Sequence, residues 1–181
     1  MSRIPTIDPE QATGKSRELL NGVQAKLGMT PNLMRVMANS PAVLDAYLQF
    51  SGSLGKGQLS AKTREQISLT VAQANSCDYC LSAHTALGKM VGLSTEQIRD
   101  ARVGSAIDSK SNAILNLTSQ LVEKRGFVSD DELATAREAG VNDAEIAEVV
   151  ANTALNLFTN YFNHVAETEI DFPKAEKLES V

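Results

Sequence analysis

Tryptophan is absent from the chain, and phenylalanine and tyrosine together supply only 4% of it. Large aromatic side chains therefore do not build the core. Ala, Leu and Val carry the apolar content, a composition better suited to packed helices than to sheet. Runs of basic residues are also missing, and 17 Lys and Arg stand against 22 Asp and Glu for a formal net charge of −5. A surface of that sign repels phosphate backbones, so no nucleic-acid partner is expected. No apolar stretch approaches the roughly 18 residues that cross a bilayer, so no membrane partner is expected either. The opening residues, Met1 to Asp8, lack the apolar core of a secretory leader. Cysteine is limited to two residues. Such a pair cannot staple a chain of this size, and it points to a reducing, cytoplasmic setting with reactive or metal-binding thiols.

What is present reads as helix. No segment sustains the period-two alternation of a half-buried strand, so the expected fold is all-α. Length and composition suit one well-cored domain over 1–181, with a core at about 30–125 and C-terminal helices at 130–166. Asp8-Pro9, Thr30-Pro31 and Ser40-Pro41 each set a capping side chain before a proline at the first helical position. They open a helix with the stripe Leu19, Leu20, Val23 and Leu27, then short helices at 32–38 and 42–51. A glycine-rich turn at 52–57 separates these from a helix at about 60–73. Further helices are predicted at about 77–91, 95–103, 108–125, 130–139 and 143–166. Ser129 with Glu132 forms a capping box. Ser94 with Gln97 and Asn142 with Glu145 repeat the device after Gly92 and Gly140, with the staples Leu93–Ile98 and Val141–Ile146. This pair reads more simply as two solutions to one capping problem than as an internal repeat. On the last helix the apolar stripe is read as Ile146, Val149, Val150, Leu157, Tyr161 and Val165.

Chemistry concentrates in Cys77-Asp78-Tyr79-Cys80-Leu81-Ser82-Ala83-His84. Helical spacing puts Cys77, Cys80, His84, Leu87 and Val91 on one stripe, so the thiols and the imidazole share a face. A thiol becomes a nucleophile only as thiolate, and a histidine one turn away is a base within reach. Buried structural cysteines are the plain alternative, weakened because a buried imidazole needs a polar partner. Glu65, on the preceding helix, can lie beside His84 if the two helices form an antiparallel hairpin, fixing its tautomer and raising its basicity. The competing reading of Glu65 is a solvated face shared with Lys62 and Arg64.

Glu65, eleven residues, then Cys77-x-x-Cys80-x-x-x-His84 resembles the active-site signature of the alkylhydroperoxidase AhpD-like group of the carboxymuconolactone decarboxylase superfamily. Tyr79 stands where AhpD proper has a second histidine, so the chain looks more like the broader peroxidase-related branch. The resemblance implies an all-helical orthogonal bundle built around a hairpin carrying the cysteines, and a homo-oligomer, a trimer or hexamer. It implies a dithiol–disulfide cycle reducing organic hydroperoxides, in which Cys80 attacks and Cys77 resolves. His84 and Glu65 relay the proton, and the electron source is a thiol reductant such as a lipoylated protein. No cofactor and no resident metal is implied.

The residues alone keep other functions open. One is a general disulfide oxidoreductase. Another is a zinc site of Cys77, Cys80 and His84 with Glu65 or water as the fourth ligand, although structural zinc usually draws on two separate segments. A non-catalytic or lactone-decarboxylase-like helical oligomer is a third, and the lactone decarboxylases lack the paired cysteines. On dipole grounds Cys77, in the first turn if Ser76 caps the helix, competes with Cys80 as the better thiolate. Asp78 opposes that charge, and the nearness of His84 favours Cys80. Tyr79 and His164 are candidate pocket residues, each with packing or surface exposure as its alternative. Met29, Met34 and Met37 read as core, and the charged tail at 174–179 as a solvated end.

Overall fold

The computed structural model describes residues 2–178, and Met1 and the last residues of the charged tail, from Glu179 onward, lie outside that range. Within it the chain is all-α: α1 Gly14–Leu27, α2 Asn32–Met37, α3 Pro41–Leu54, α4 Ala61–Ala74, α5 Asp78–Met90, α6 Thr95–Arg102, α7 Ser109–Glu123, α8 Asp130–Glu138 and α9 Asp143–Ala166. The centre is α4, which packs against α5, α6, α7 and α9. Its residues from Gln66 to Ala72 are all buried, so this helix is covered on every side and has no solvent face to betray it by periodicity. Two apolar clusters result. One gathers Ile67, Leu69, Leu93, Ile98, Leu115 and Val149, and the other gathers Leu20, Leu33, Met37, Leu44 and the cysteine helix.

Local signals account for most of the boundaries. The capping boxes at Ser94, Ser129 and Asn142 are all formed, each side chain accepting from the amide three residues on. Gly92 and Gly140 take left-handed angles, φ +86° and +89°, and close Schellman turns in which Leu93 N bonds Gly88 O and Val141 N bonds Ala136 O.

Four boundaries differ from the sequence reading. Asp8 does cap, its carboxylate accepting from Glu10 N at 3.0 Å, but only a single turn forms. Extended Thr13 and left-handed Gly14 (φ +55°) break it, and α1 begins there. Pro31 is the N-cap of α2 and not its first residue, and the Thr30 hydroxyl instead donates to Gln24 Oε1. The glycines after Ser51 do not break α3, which continues to Leu54, because Gly55 itself keeps right-handed angles (φ −63°). Finally, Ser76 does not cap α5. It is the left-handed residue (φ +54°) ending α4, with Cys77 N bonded to Ala72 O, so Cys77 becomes the N-cap.

Beyond α9 the chain returns as a strap across α2 and α5. Asp171 Oδ2 accepts from Asn32 N at 2.7 Å, capping α2 from 139 residues away. Ala175 N donates to Ser82 Oγ and Arg102 to Glu176 O, so the tail expected to be solvated is docked by its backbone while Lys174, Glu176 and Lys177 keep exposed side chains. Asp171→Ala should lower the unfolding free energy by about 1–2 kcal/mol by removing a charged acceptor from a helix N-terminus. A urea melt checks this, and an unchanged midpoint at unchanged slope means that water replaces the carboxylate at no loss.

Candidate active site

The α4–α5 hairpin assembles the site. A reversal through Asn75, Ser76 and Cys77 is tight enough to run α5 back along α4 and set His84 opposite Glu65. His84 Nδ1 lies 2.8 Å from Glu65 Oε2, with the two side chains 20% and 19% exposed. The carboxylate holds the imidazole by Nδ1, which leaves Nε2 to exchange a proton elsewhere.

Cys77 and Cys80 are joined as a disulfide with their Cα atoms 5.3 Å apart, and both are almost fully buried at 1% and 2% exposure. Their surroundings differ. Cys77 Sγ accepts the Cys80 amide at 3.3 Å, in the position of an N-cap side chain at the positive end of α5. Cys80 Sγ instead receives Asn163 Nδ2 of α9 at 3.3 Å. Cys80 also faces a cavity of about 730 Å³, whose lining includes Glu65 and His84 but not Cys77. The remainder of the wall is mostly apolar: Leu19, Val23, Leu27, Leu48, Leu87 and Phe172, with Met29 and Met34. Of the three methionines read as core, Met37 is buried, whereas Met29 and Met34 serve this wall.

The other two candidates are placed differently. The ring of Tyr79 lines the cavity and meets Phe172 edge-on at 5.9 Å, but its hydroxyl accepts from Leu33 N at 3.0 Å. Burial, with the neighbouring Asp171 carboxylate, raises that hydroxyl well above its ordinary value, so it stays protonated. His164 lies on the exposed face of α9, outside the cavity lining. Among the described residues no group of three or more His, Cys, Asp and Glu side chains is arranged to hold a metal.

Two residues at the site went unread in the sequence. Tyr47 of α3 lines the cavity, and burial together with the Glu65 charge pushes its hydroxyl up to about 12. A tyrosine among apolar neighbours carries no signal of its own. Asn163 did have one. Asn152, Asn156, Asn160 and Asn163 recur at helical spacing and are all buried, whereas Val150, Tyr161 and Val165 of the predicted stripe are exposed at 47%, 58% and 65%. The inward face of α9 thus carries a carboxamide row beside Ile146, Val149 and Leu157, which pack on the first apolar cluster. Asn152 and Asn156 donate to the carbonyls four residues back, and Asn160 Oδ1 accepts from Asn75 at the hairpin turn.

Helices wrapped around a vicinal dithiol, with a carboxylate-held histidine on the same cavity wall, define a helical thiol-site protein. Residues 41–123 match the carboxymuconolactone decarboxylase family. An uncharacterized peroxidase-related protein from Ralstonia eutropha JMP134, described as an alkylhydroperoxidase AhpD core, superposes with a TM-score of 0.85 at 23% identity over 94% of this chain and 92% of that one. A second uncharacterized peroxidase-related protein, from Silicibacter sp. TM1040, gives 0.82 at 23% identity over 92% and 89%. The debrominase Bmp8, in complex with 2,3,4-tribromopyrrole, gives 0.78 at 15% identity over 94% of both chains. Among curated proteins none matches the chain in sequence. The family match spans the middle of the chain, α3 to α7, and the solved structures share its all-helical fold.

Proposed function

We propose that the chain is a thiol-dependent peroxidase acting on organic hydroperoxides through Cys77 and Cys80. The observation that carries the reading is the buried Cys77–Cys80 disulfide with only Cys80 on the cavity wall, beside a histidine held by Glu65. In the dithiol state the Cys80 thiolate attacks the terminal peroxide oxygen. A sulfur–oxygen bond forms, the oxygen–oxygen bond breaks, and the departing alkoxide takes a proton through His84. Cys77 then attacks the sulfenic sulfur, and hydroxide leaves as water with one further proton. The sum is one hydroperoxide and two thiols giving alcohol, water and a disulfide.

The apolar wall favours an organic hydroperoxide over hydrogen peroxide. Burial of both sulfurs argues against a protein disulfide as substrate and for a slender dithiol, such as a reduced lipoyl arm on a partner protein, as reductant. A homo-oligomer belongs to the same proposal, supported by the exposed row Val150, Phe158, Tyr161 and Val165 on α9, and light scattering checks it. The direct experiment counts free thiols in pre-reduced protein before and after one equivalent of cumene hydroperoxide. Loss of both within the mixing time or seconds is expected. Survival of both in excess peroxide removes the peroxidase reading.

A further inference from the structure

We infer that Asn163 is the hydrogen-bond donor that stabilises the attacking Cys80 thiolate, a role resting on the peroxidase reading above for its catalytic meaning. Three neighbours in the carboxamide row of α9 have structural partners: Asn152 and Asn156 bond backbone carbonyls, and Asn160 bonds the hairpin turn. Asn163 does not fit that pattern. It is 4% exposed, its Nδ2 reaches the Cys80 sulfur at 3.3 Å, and its Oδ1 is buried without a hydrogen-bond partner. A buried carboxamide loses its water, and a disulfide sulfur is a weak acceptor in return. In the dithiol state the same sulfur becomes a charged acceptor, and an N–H bond to an anion is about twice as strong as a neutral one. The contact therefore gains most when Cys80 is ionised, which favours the thiolate over the thiol.

The arrangement also separates the two sulfurs. Cys77 is served by a backbone amide at the start of α5, whereas Cys80, one turn in, has no such amide and receives its donor from another helix. Asn163 reaches the sulfur from behind the cavity wall and leaves the cavity side open to the peroxide. Titratable groups near Cys80 and around its cavity are Asp78, Tyr79 and His84 on α5, Arg64 and Glu65 on α4, Glu18 and Lys26 on α1, Tyr47 on α3 and Asp171 of the strap. The α9 residues on the cavity wall are all neutral. All of these groups remain when Asn163 is replaced, so a change in Cys80 ionisation can be attributed to the amide.

The test uses Cys77→Ser protein, in which Cys80 is the only thiol, with and without Asn163→Ala. Thiolate absorbance near 240 nm is followed against pH, together with single-turnover oxidation by cumene hydroperoxide. Asn163→Ala should move thiolate formation up by about one pH unit. It should slow oxidation about tenfold near neutral pH, with recovery at alkaline pH where the thiolate forms regardless. A structural role alone lowers the rate equally at every pH. Asn163→Asp, of the same shape, should shift the titration further upward through like charge, and it covers the case in which the alanine variant does not fold. Superimposable titrations of the parent and either folded variant overturn the inference. A shifted titration without peroxide consumption upholds the Asn163 contact and removes the peroxidase reading instead.

Discussion

Cys80→Ser should abolish peroxide reduction, lowering turnover of cumene hydroperoxide by at least about 10³-fold, to the rate of buffer. Cys77→Ser should behave differently. It keeps the attacking sulfur, so one equivalent of peroxide is consumed at close to the normal rate and a sulfenic acid then accumulates, detectable by dimedone adduct mass. The asymmetry follows from position, because Cys80 alone of the pair faces the cavity while Cys77 sits behind it as the N-cap of α5. The same geometry makes Cys77 the better leaving group when a dithiol reopens the disulfide, since the amide at the positive end of the helix stabilises the departing thiolate. A dithiol reductant should therefore form its mixed disulfide at Cys80. Fast first turnover in Cys80→Ser, or a dimedone adduct on Cys77 in that variant, reverses the assignment.

Glu65→Gln should cost about 10- to 100-fold in kcat/KM. Glutamine can still hydrogen-bond Nδ1, but it carries no charge to stabilise the imidazolium that forms as His84 accepts a proton. The 2.8 Å contact is partly shielded from water, which strengthens that charge effect relative to an exposed pair. His84→Gln should cost at least as much, since it removes the proton carrier itself. If Glu65 acts through His84, the double variant is no slower than His84→Gln alone. Additive losses assign Glu65 an independent part. A Glu65→Gln rate within about twofold of the parent denies it any part. Tyr47, whose hydroxyl is pushed up to about 12 beside Glu65, keeps its proton in these assays and does not compete as the base.

Most of the fold was legible because helix ends are local chemistry. Ser94, Ser129 and Asn142 cap as read, and Gly92 and Gly140 turn the chain as read. The motif from Glu65 to His84 was legible for a related reason. Its parts lie on two consecutive helices, so short-range spacing and one hairpin bring Glu65 to His84.

What failed to show were groups delivered from far along the chain. Asn163 reaches Cys80 across 83 positions and Asp171 caps α2 across 139, and neither separation leaves a periodic trace. α9 misled in part: Ile146, Val149 and Leu157 pack inward as read, whereas Val150, Tyr161 and Val165 face outward. A carboxamide row shares the inner face, with Asn152 and Asn156 donating to carbonyls of their own helix and Asn160 Oδ1 accepting from Asn75. The sequence by itself determined the helices, most of their ends and the hairpin spacing that lets Glu65 meet His84, because each depends on neighbours within two helical elements. The tertiary structure decided which sulfur faces the cavity, which donor serves it and what the strap covers, because these depend on distant helices closing around a buried site.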